Sequence, residues 1–396
     1  MNANALRIVH VFRAPLGGLF RHVIDLAGEQ AARGHKIGLF YDSGGDEARV
    51  RAAIARIPGG AALGVAMAPI RRNPGFSDVS AFREFSAFLR GARPDVVHGH
   101  GSKGGIYARL AGGGATQPIR AYTPHGGSFN YAPGSLRHRL FMLAERAVAR
   151  RTDLFLFESA NVKERYDHYV GVDSGFARVV VNGLGGHEFT VTPDAPDASD
   201  VLYVGELRWA KGVDTLLEAL ARLGREGGVA PSATLVGSGP DRDALVALAA
   251  RLGLAGRVSF PGPMPVAQAF PRGRLMVAPS RAESMPYIVL ETLAAQKPLL
   301  TTHVGGVPEI FGPYRDRLLA PDDVVGFASA IRAELARPPA QTSARAAELA
   351  GFVKGRFSLE NMVEMVMSGY HEALTRRDSD ARRRQGRAAP ELVNEA

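Results

Sequence analysis

Residues 200–224 read DVLYVGELRWAKGVDTLLEALARLG. The stretch opens on a short, uninterrupted apolar run, 200–204, of the kind carried by a strand buried on both faces. It closes on Val213, Leu216, Leu217, Leu220 and Leu223, which share one face of a 3.6-residue helix. A glycine-bounded loop with two cations, Arg208 and Lys211, lies between them. Strand, glycine loop and helix in that order form the repeating unit of a parallel sheet, because parallel strands need a long crossover connection.

Similar runs recur on both sides. In the first half they are 6–12, 36–41, 95–98, 119–123, 154–158 and 178–181. In the second half they are 200–204, 233–236, 257–260, 275–278, 298–302 and 317–319. Helical faces alternate with them, for example Phe20, Val23, Ile24, Ala27 and Ala31. Six strands, a break rich in Gly, Pro and Asp, then six more predict an α/β chain of two doubly wound, Rossmann-like domains facing across a cleft. The expected boundaries are 1–183 for the first domain, 184–199 for the linker and 200–356 for the second domain. A last helix is expected over 357–376. The basic tail 377–396, with Arg382, Arg383, Arg384 and Arg387, is expected to lack regular structure.

The chain has 396 residues, 46% hydrophobic and 22% charged, enough to bury two cores. With no cysteine, thiolate metal sites, disulfides and cysteine nucleophiles are excluded. The net charge of +9 is uneven: residues 1–190 hold 24 basic and 15 acidic side chains, residues 191–396 hold 24 of each. An anionic partner of the first half, such as lipid headgroups or a phosphate-bearing substrate, accounts for this. So does a solvated surface rich in arginine. No run reaches the length of a membrane span, and the N-terminus lacks a signal-peptide pattern. The protein is therefore expected in the cytoplasm, with any membrane contact peripheral.

Open parallel sheets bind ligands beyond the carboxyl ends of their strands, and the unusual residues fall there. Gly17 and Gly18 follow the first run. His98, Gly99, His100 and Lys103 follow the third, and Pro124, His125, Gly126 and Gly127 the fourth. In the second half come the loop from Gly205 to Gly212, then Gly237 and Gly239, then SRAESMP (280–286) and Gly305–Gly306. Arg208 and Lys211, next to a helix start, suit the two charges of a diphosphate; a solvated pair of loop cations is the plainer alternative. Glu283 and Glu291, seven residues between them, suit sugar and ribose hydroxyls or are two surface glutamates at a helix start. His98 and His100 suit an acceptor or a phosphate; a metal pair is poorly supported without nearby carboxylates. Asp241–Arg242–Asp243 opens a helix, where acidic residues are favoured without any metal. The glycine run at 237–242 lacks the third glycine of a dinucleotide fingerprint.

Taken together, GELRWAKG, LVGSGP, PSRAESMPYIVLE, VGGVPEI, VVHGHGSKGG and TPHGG, in this order within each half, resemble the retaining nucleotide-sugar glycosyltransferases of family 4, with the GT-B fold. The resemblance covers about residues 6–372. It implies transfer of a sugar from a nucleotide-diphosphate donor to a hydroxyl of a glycan or lipid-linked acceptor, with retained configuration, without a metal or other cofactor. By residue, it places Gly17 and Gly18 against the donor phosphates or the acceptor and His125 against the transferred sugar. Arg208 and Lys211 would hold the diphosphate, Glu283 the sugar hydroxyls and Glu291 the ribose. The amides around Ser284, Met285, Tyr287 and Ile288 would meet sugar and phosphate, beside the nucleotide-side loops at Gly205, Gly237 and Gly239. The last helix would return to the first domain. Many members have Phe-Gly where this chain has Met285–Pro286, and proline donates no N–H. A nucleotide-sugar epimerase of the same architecture is the alternative.

Residues 135–151 form one further candidate. Leu136, Leu140, Leu143, Ala144, Ala147 and Val148 make an apolar stripe, with Arg137, Arg139, Arg146, Arg150 and Arg151 elsewhere. A core-facing helix with a solvated basic face is the commoner reading and the one expected; a helix lying on an anionic membrane is the alternative. Specific nucleic-acid binding is not expected, since Phe and Tyr fall inside strands and helix faces rather than among the basic residues.

Overall fold

In the computed structural model the chain divides into two units. Residues 1–158, 163–180 and 362–396 make the first, residues 159–162 and 181–361 the second. The structure describes all residues except 1–4, 45–46, 72–74, 113–116, 131–133, 172–175, 228 and 389–396.

The first unit is built on strands β1 (Arg7–Phe12), β2 (Lys36–Asp42), β3 (Val65–Ala68), β4 (Val96–His100), β5 (Ile119–Thr123), β6 (Leu154–Phe157) and β7 (Ala177–Val179). All pair in parallel, in the order β3-β2-β1-β4-β5-β6-β7. The intervening helices are α1 (Gly17–Ala32), α2 (Glu47–Ile54), α3 (Ser77–Ala92), α4 (Gly101–Leu110), α5 (Leu136–Ala149) and α6 (Ala160–Val170). Central β4 is buried at every position, as a strand covered on both faces must be. Glycines bring α4 onto the sheet: a Cβ on Gly104 would lie 2.2 Å from the Val11 carbonyl oxygen, and one on Gly105 would lie 2.2 Å from the Tyr122 ring.

The second unit carries β8 (Ser199–Val204), β9 (Ala233–Val236), β10 (Val258–Gly262), β11 (Gly273–Ala278) and β12 (Leu299–Thr301). They too are all parallel, in the order β10-β9-β8-β11-β12. Helices α7 (Val213–Gly227), α8 (Arg242–Arg251), α9 (Val266–Ala269), α10 (Tyr287–Ala294), α11 (Val307–Phe311), α12 (Val324–Leu335) and α13 (Pro339–Arg356) complete it. The five apolar residues that define the inner face of α7 are all buried.

Three expectations are corrected. Among the described residues the strands number seven and five, not six and six. β3 is an edge strand, VAMA, too short and too exposed to announce itself as a buried run. Residues 317–319 contribute only one bridge, Leu319 to Thr302. The tail also needs correction, because α14 (Leu359–Ala388) runs through much of the segment expected to be irregular. Its first half is anchored by buried Met362, Val363, Val366, Met367, Tyr370 and Ala373. Beyond them Arg, Ala and Gln are good helix formers that continue a helix already nucleated by packing.

Candidate active site

In each sheet the strand order reverses beside the first strand of the unit, between β1 and β4 and between β8 and β11. Loops leaving the two strands at such a point diverge and open a crevice for ligands. In the second unit the loop after β8 carries Arg208 and Lys211, and the loop after β11 carries Ser280 and Glu283.

These loops meet through charge. Lys211 Nζ donates to Glu283 Oε1 at 2.6 Å, and Ser280 Oγ donates to the same oxygen at 2.7 Å. Both partners of the ion pair are largely shielded, at 18% and 11% exposure. The pair thus sits at the switch point in a setting where screening is weak. The sequence singled out both residues but not their mutual bond. Arg208 is more open and pairs with Glu206 at 3.0 Å. Arg281, not foreseen, braces the loop from below: it grips Asp214 with two bonds of 2.8 Å, reaches Asp322 at 2.6 Å and donates to the Trp209 carbonyl at 2.6 Å. Burial pushes the Asp214 carboxyl up, but Arg281 overrides it and holds the group below the usual carboxylate range.

The glycines of this unit serve loop packing. A Cβ on Gly237 would lie 1.8 Å from the Gly205 carbonyl oxygen, and one on Gly239 would lie 2.2 Å from that of Leu207. One on Gly305 would lie 1.9 Å from the Glu283 carbonyl oxygen. Gly237 also has φ +150°. Gly237→Ala is therefore expected to cost about 3 kcal/mol through backbone strain. A thermal melt checks this, with a fall of roughly 10 °C expected and an unchanged midpoint counting against the loop-packing role.

The Met285 and Tyr287 side chains are buried in a core cluster with Leu184, Val289 and Leu290, so the contacts expected at these positions fall to backbone amides and not to side chains. The Met285 carbonyl is taken by Asn182 Nδ2 at 2.7 Å. Pro286 stands at the N-cap of α10. Ser284, Ile288 and Glu291 are half-buried. Asp241 accepts a hydrogen bond from the Trp209 amide at 2.5 Å, and Asp243 is exposed beside Arg242. Asp241 thus braces the loop, while Asp243 lies at the surface.

In the first unit Gly17 and Gly18 are exposed at the start of α1, and Gly17 has φ +64°. Here the sequence reading is corrected for His98 and His100. They lie within β4, fully buried, rather than in a loop beyond it, because alternation along the strand turns both rings into the same face. His98 has both nitrogens bonded, Nε2 with Thr123 Oγ1 at 2.8 Å and Nδ1 with the Tyr370 hydroxyl at 2.7 Å. Lys103 is paired with Asp78 at 2.7 Å. The two buried histidines are thus not presented to a ligand as expected.

What the sequence missed is a buried layer of imidazoles. His10 Nδ1 lies 3.0 Å from His100 Nε2, and His100 Nδ1 lies 3.1 Å from His125 Nε2. His22 packs edge-on against His125. Burial lowers the pKa of His10 to about 4, and drives those of His98, His100 and His125 well below their ordinary value. All four rings are neutral at pH 7. His125 itself follows β5 with φ +51°, rare for a residue other than glycine. Gly126 and Gly127 continue the turn, and Ser102 Oγ fixes it by accepting from the Ser128 amide at 2.9 Å. The turn aims the His125 ring at β4. The His-x-His spacing on one strand face was the available signal.

A further correction concerns residues 135–151. The inward side of α5 is His138, Met142, Glu145 and Ala149. Glu145 meets Arg109 at 2.7 Å and the Tyr122 hydroxyl at 3.0 Å in the core. The leucines expected to face the core face outward: Leu136 is 74% exposed, Leu140 58% and Leu143 61%. The buried ion pair set the helix rotation.

Two family models match the chain: "Glycosyltransferase Family 4" over residues 16–184 and "Glycosyl transferases group 1" over residues 198–337. The chain belongs to glycosyltransferase family 4. The glycogen synthase of Mycobacterium tuberculosis is 29% identical over 269 residues, 65% of this chain and 64% of that enzyme. The chain thus spans between 30% and 64% of the length of the curated relatives compared with it, less than two thirds in every case. Among solved structures, the sucrose-phosphate synthase of Thermosynechococcus elongatus superposes with a TM-score of 0.76, at 19% identity, over 93% of this chain and 99% of that one. Anabaena HepE, solved in complex with UDP-glucose, superposes with a TM-score of 0.74, at 18% identity, over 92% and 98%. The fold of this family 4 member is thereby the two-domain α/β fold of the GT-B class.

Proposed function

We propose that the protein is a metal-independent, retaining hexosyltransferase that moves a sugar from a nucleoside-diphosphate donor to a hydroxyl of a glycan or lipid-linked acceptor. The observation that carries this is the Lys211–Glu283 pair at the β8/β11 switch point. Lys211 and Arg208 meet the donor diphosphate; Glu283, released from Lys211 by the incoming phosphate, accepts hydrogen bonds from sugar hydroxyls. Ribose hydroxyls meet Glu291, and the amides around Ser284 and Ile288 meet sugar and phosphate. Gly17 and Gly18 leave the chain thin enough for a close approach.

Chemically, the barrier is rupture of the bond between the anomeric carbon and the phosphate. Fixed cations at the developing diphosphate lower it, and holding donor and acceptor together supplies most of the rest. The acceptor oxygen attacks from the face the diphosphate leaves, and its proton passes to that leaving phosphate. No protein nucleophile is assigned. We assign the diphosphate charge to Lys211 and Arg208. That HepE was solved with UDP-glucose makes UDP-sugars the donor class to test first. Incubation with a UDP-sugar and a glycan acceptor in EDTA is expected to release UDP only when acceptor is present. An altered sugar without UDP release is the epimerase result and overturns the reading.

The membrane reading is favoured over the core-facing one by the exposure of Leu136, Leu140 and Leu143 among Arg137, Arg139 and Arg150. Among the described residues no helix is long and apolar enough to cross a membrane. We place α5 flat on the inner face of the cell membrane, its leucines between the acyl chains and its arginines at anionic headgroups. Burying a leucine contributes about 2 kcal/mol, so Leu140→Glu with Leu143→Glu is expected to lower partition onto phosphatidylglycerol vesicles by about 100-fold or more. Co-sedimentation checks it; equal binding by the double variant removes α5 from the membrane.

A further inference from the structure

Three imidazoles and an amide form one unbroken chain through the core of the first unit. His125 Nε2 meets His100 Nδ1 at 3.1 Å, His100 Nε2 meets His10 Nδ1 at 3.0 Å, and His10 Nε2 meets Gln30 Oε1 at 2.8 Å. A neutral imidazole carries one proton on one nitrogen, so each contact needs one donor and one acceptor. The Gln30 end fixes the polarity. Gln30 turns its Nε2 towards Met367 Sδ at 3.6 Å and hydrogen-bonds the Tyr370 hydroxyl. Its carbonyl oxygen, which can only accept, is left for His10.

The protons then follow in sequence. His10 holds its proton on Nε2 and donates it to Gln30. Its Nδ1 must accept, so His100 holds its proton on Nε2. His100 Nδ1 must accept in turn, so His125 holds its proton on Nε2. His98 lies beside the chain but outside it, both nitrogens already occupied by Thr123 and Tyr370.

We propose that Gln30, His10 and His100 are positioning residues that lock His125 as the Nε2–H tautomer, so that its Nδ1 is presented as a hydrogen-bond acceptor to a substrate hydroxyl. The substrate part of this rests on the glycosyltransfer reading; the tautomer does not. A hydroxyl that donates to His125 Nδ1 is discriminated from a group that can only accept, since the latter faces a lone pair. The selectivity of the site for a hydroxyl at that position would thus be written 20 or more residues away in sequence, at Gln30 and the His-x-His strand. Nearest to a competing use of the same atoms is metal binding: His22, His100 and His125 bring three ligand nitrogens within 4.8 Å of one another, as do His10, His98 and His100. Binding a dication there would break the proton chain and place its charge among buried neutral rings.

Long-range proton–nitrogen correlation spectra of the full chain labelled with 15N-histidine test this directly, with His125 assigned by the signals lost in His125→Asn. The expected wild-type result is an unprotonated Nδ1 and a protonated Nε2 at His125, without substrate present. Gln30→Met keeps the volume and removes the acceptor; it is expected to give His125 a mixture of tautomers and to lower kcat about tenfold, as for loss of one hydrogen bond, with donor KM within about twofold. A His125 protonated on Nδ1 in the wild type overturns the proposal, whatever the variant does. So does a well-folded Gln30→Met whose His125 nitrogens are unmoved, or stoichiometric uptake of Co²⁺ with ligand-field absorption lost in His100→Phe. An intact tautomer together with full turnover by His125→Ala instead sinks the glycosyltransfer role and leaves the proton chain standing.

Discussion

Glu283→Gln is expected to bind a nucleoside diphosphate as the parent protein does and to transfer sugar about 10²- to 10⁴-fold more slowly. The substitution keeps shape and hydrogen-bonding length and removes one charge. In the resting site that charge is shared by Lys211 and Ser280 on a single oxygen, Oε1. A neutral amide in its place holds Lys211 less tightly, so diphosphate binding does not suffer. What is lost is a charged acceptor for sugar hydroxyls as positive charge grows at the anomeric carbon. Lys211→Ala separates the roles. It removes the cation and leaves Glu283 partly buried without it, so diphosphate affinity falls first, by about 10- to 100-fold. Calorimetric titration with UDP and turnover on the same samples check both; normal turnover by Glu283→Gln, or unchanged UDP affinity in Lys211→Ala, would falsify the assigned roles.

The second large effect is on stability. His10, His98 and His100 are fully buried, and burial, the leading cause in each, holds their pKa values below the ordinary 6.5, that of His10 at about 4. The unfolded chain takes up protons on all three as pH falls through about 6.5, whereas the folded unit does not. Their contribution is therefore complete above that pH and lost below it. Each proton taken up only by the unfolded chain costs about 1.4 kcal/mol per pH unit, so three give about 4 kcal/mol per unit below pH 6. Against a typical stability of about 5–15 kcal/mol, the first unit is expected to unfold near pH 5. Urea midpoints between pH 8 and 5 check this. Stability that stays level from pH 7 to pH 5 contradicts neutral burial of the histidines.

Much of this was legible beforehand. Buried parallel strands declare themselves as uninterrupted runs, and DVLYV followed by the α7 pattern is unambiguous on that account. Lys211 and Glu283 were legible as strand-end residues of the right types. Less legible was anything fixed by a distant partner. The rotation of α5 is set by Arg109, 36 residues before Glu145, and no helical periodicity contains that. His98 and His100 look like loop histidines until the strand is seen to extend through them and Tyr370 to close over one of them. Met285 and Tyr287 lie in a motif whose backbone faces a ligand in the resemblance; their side chains pack into the core with Leu290, Val307 and Phe311.

Tyr370 has one more consequence, for the order in which the chain is made. The hydroxyl that satisfies His98, and the Met367 and Val363 side chains beside it, belong to the first unit yet emerge from the ribosome after the whole second unit. Until then the imidazole layer has an open wall. The half translated first is sealed last, and a nascent protein stalled before residue 362 leaves its amino-terminal half exposed to chaperones.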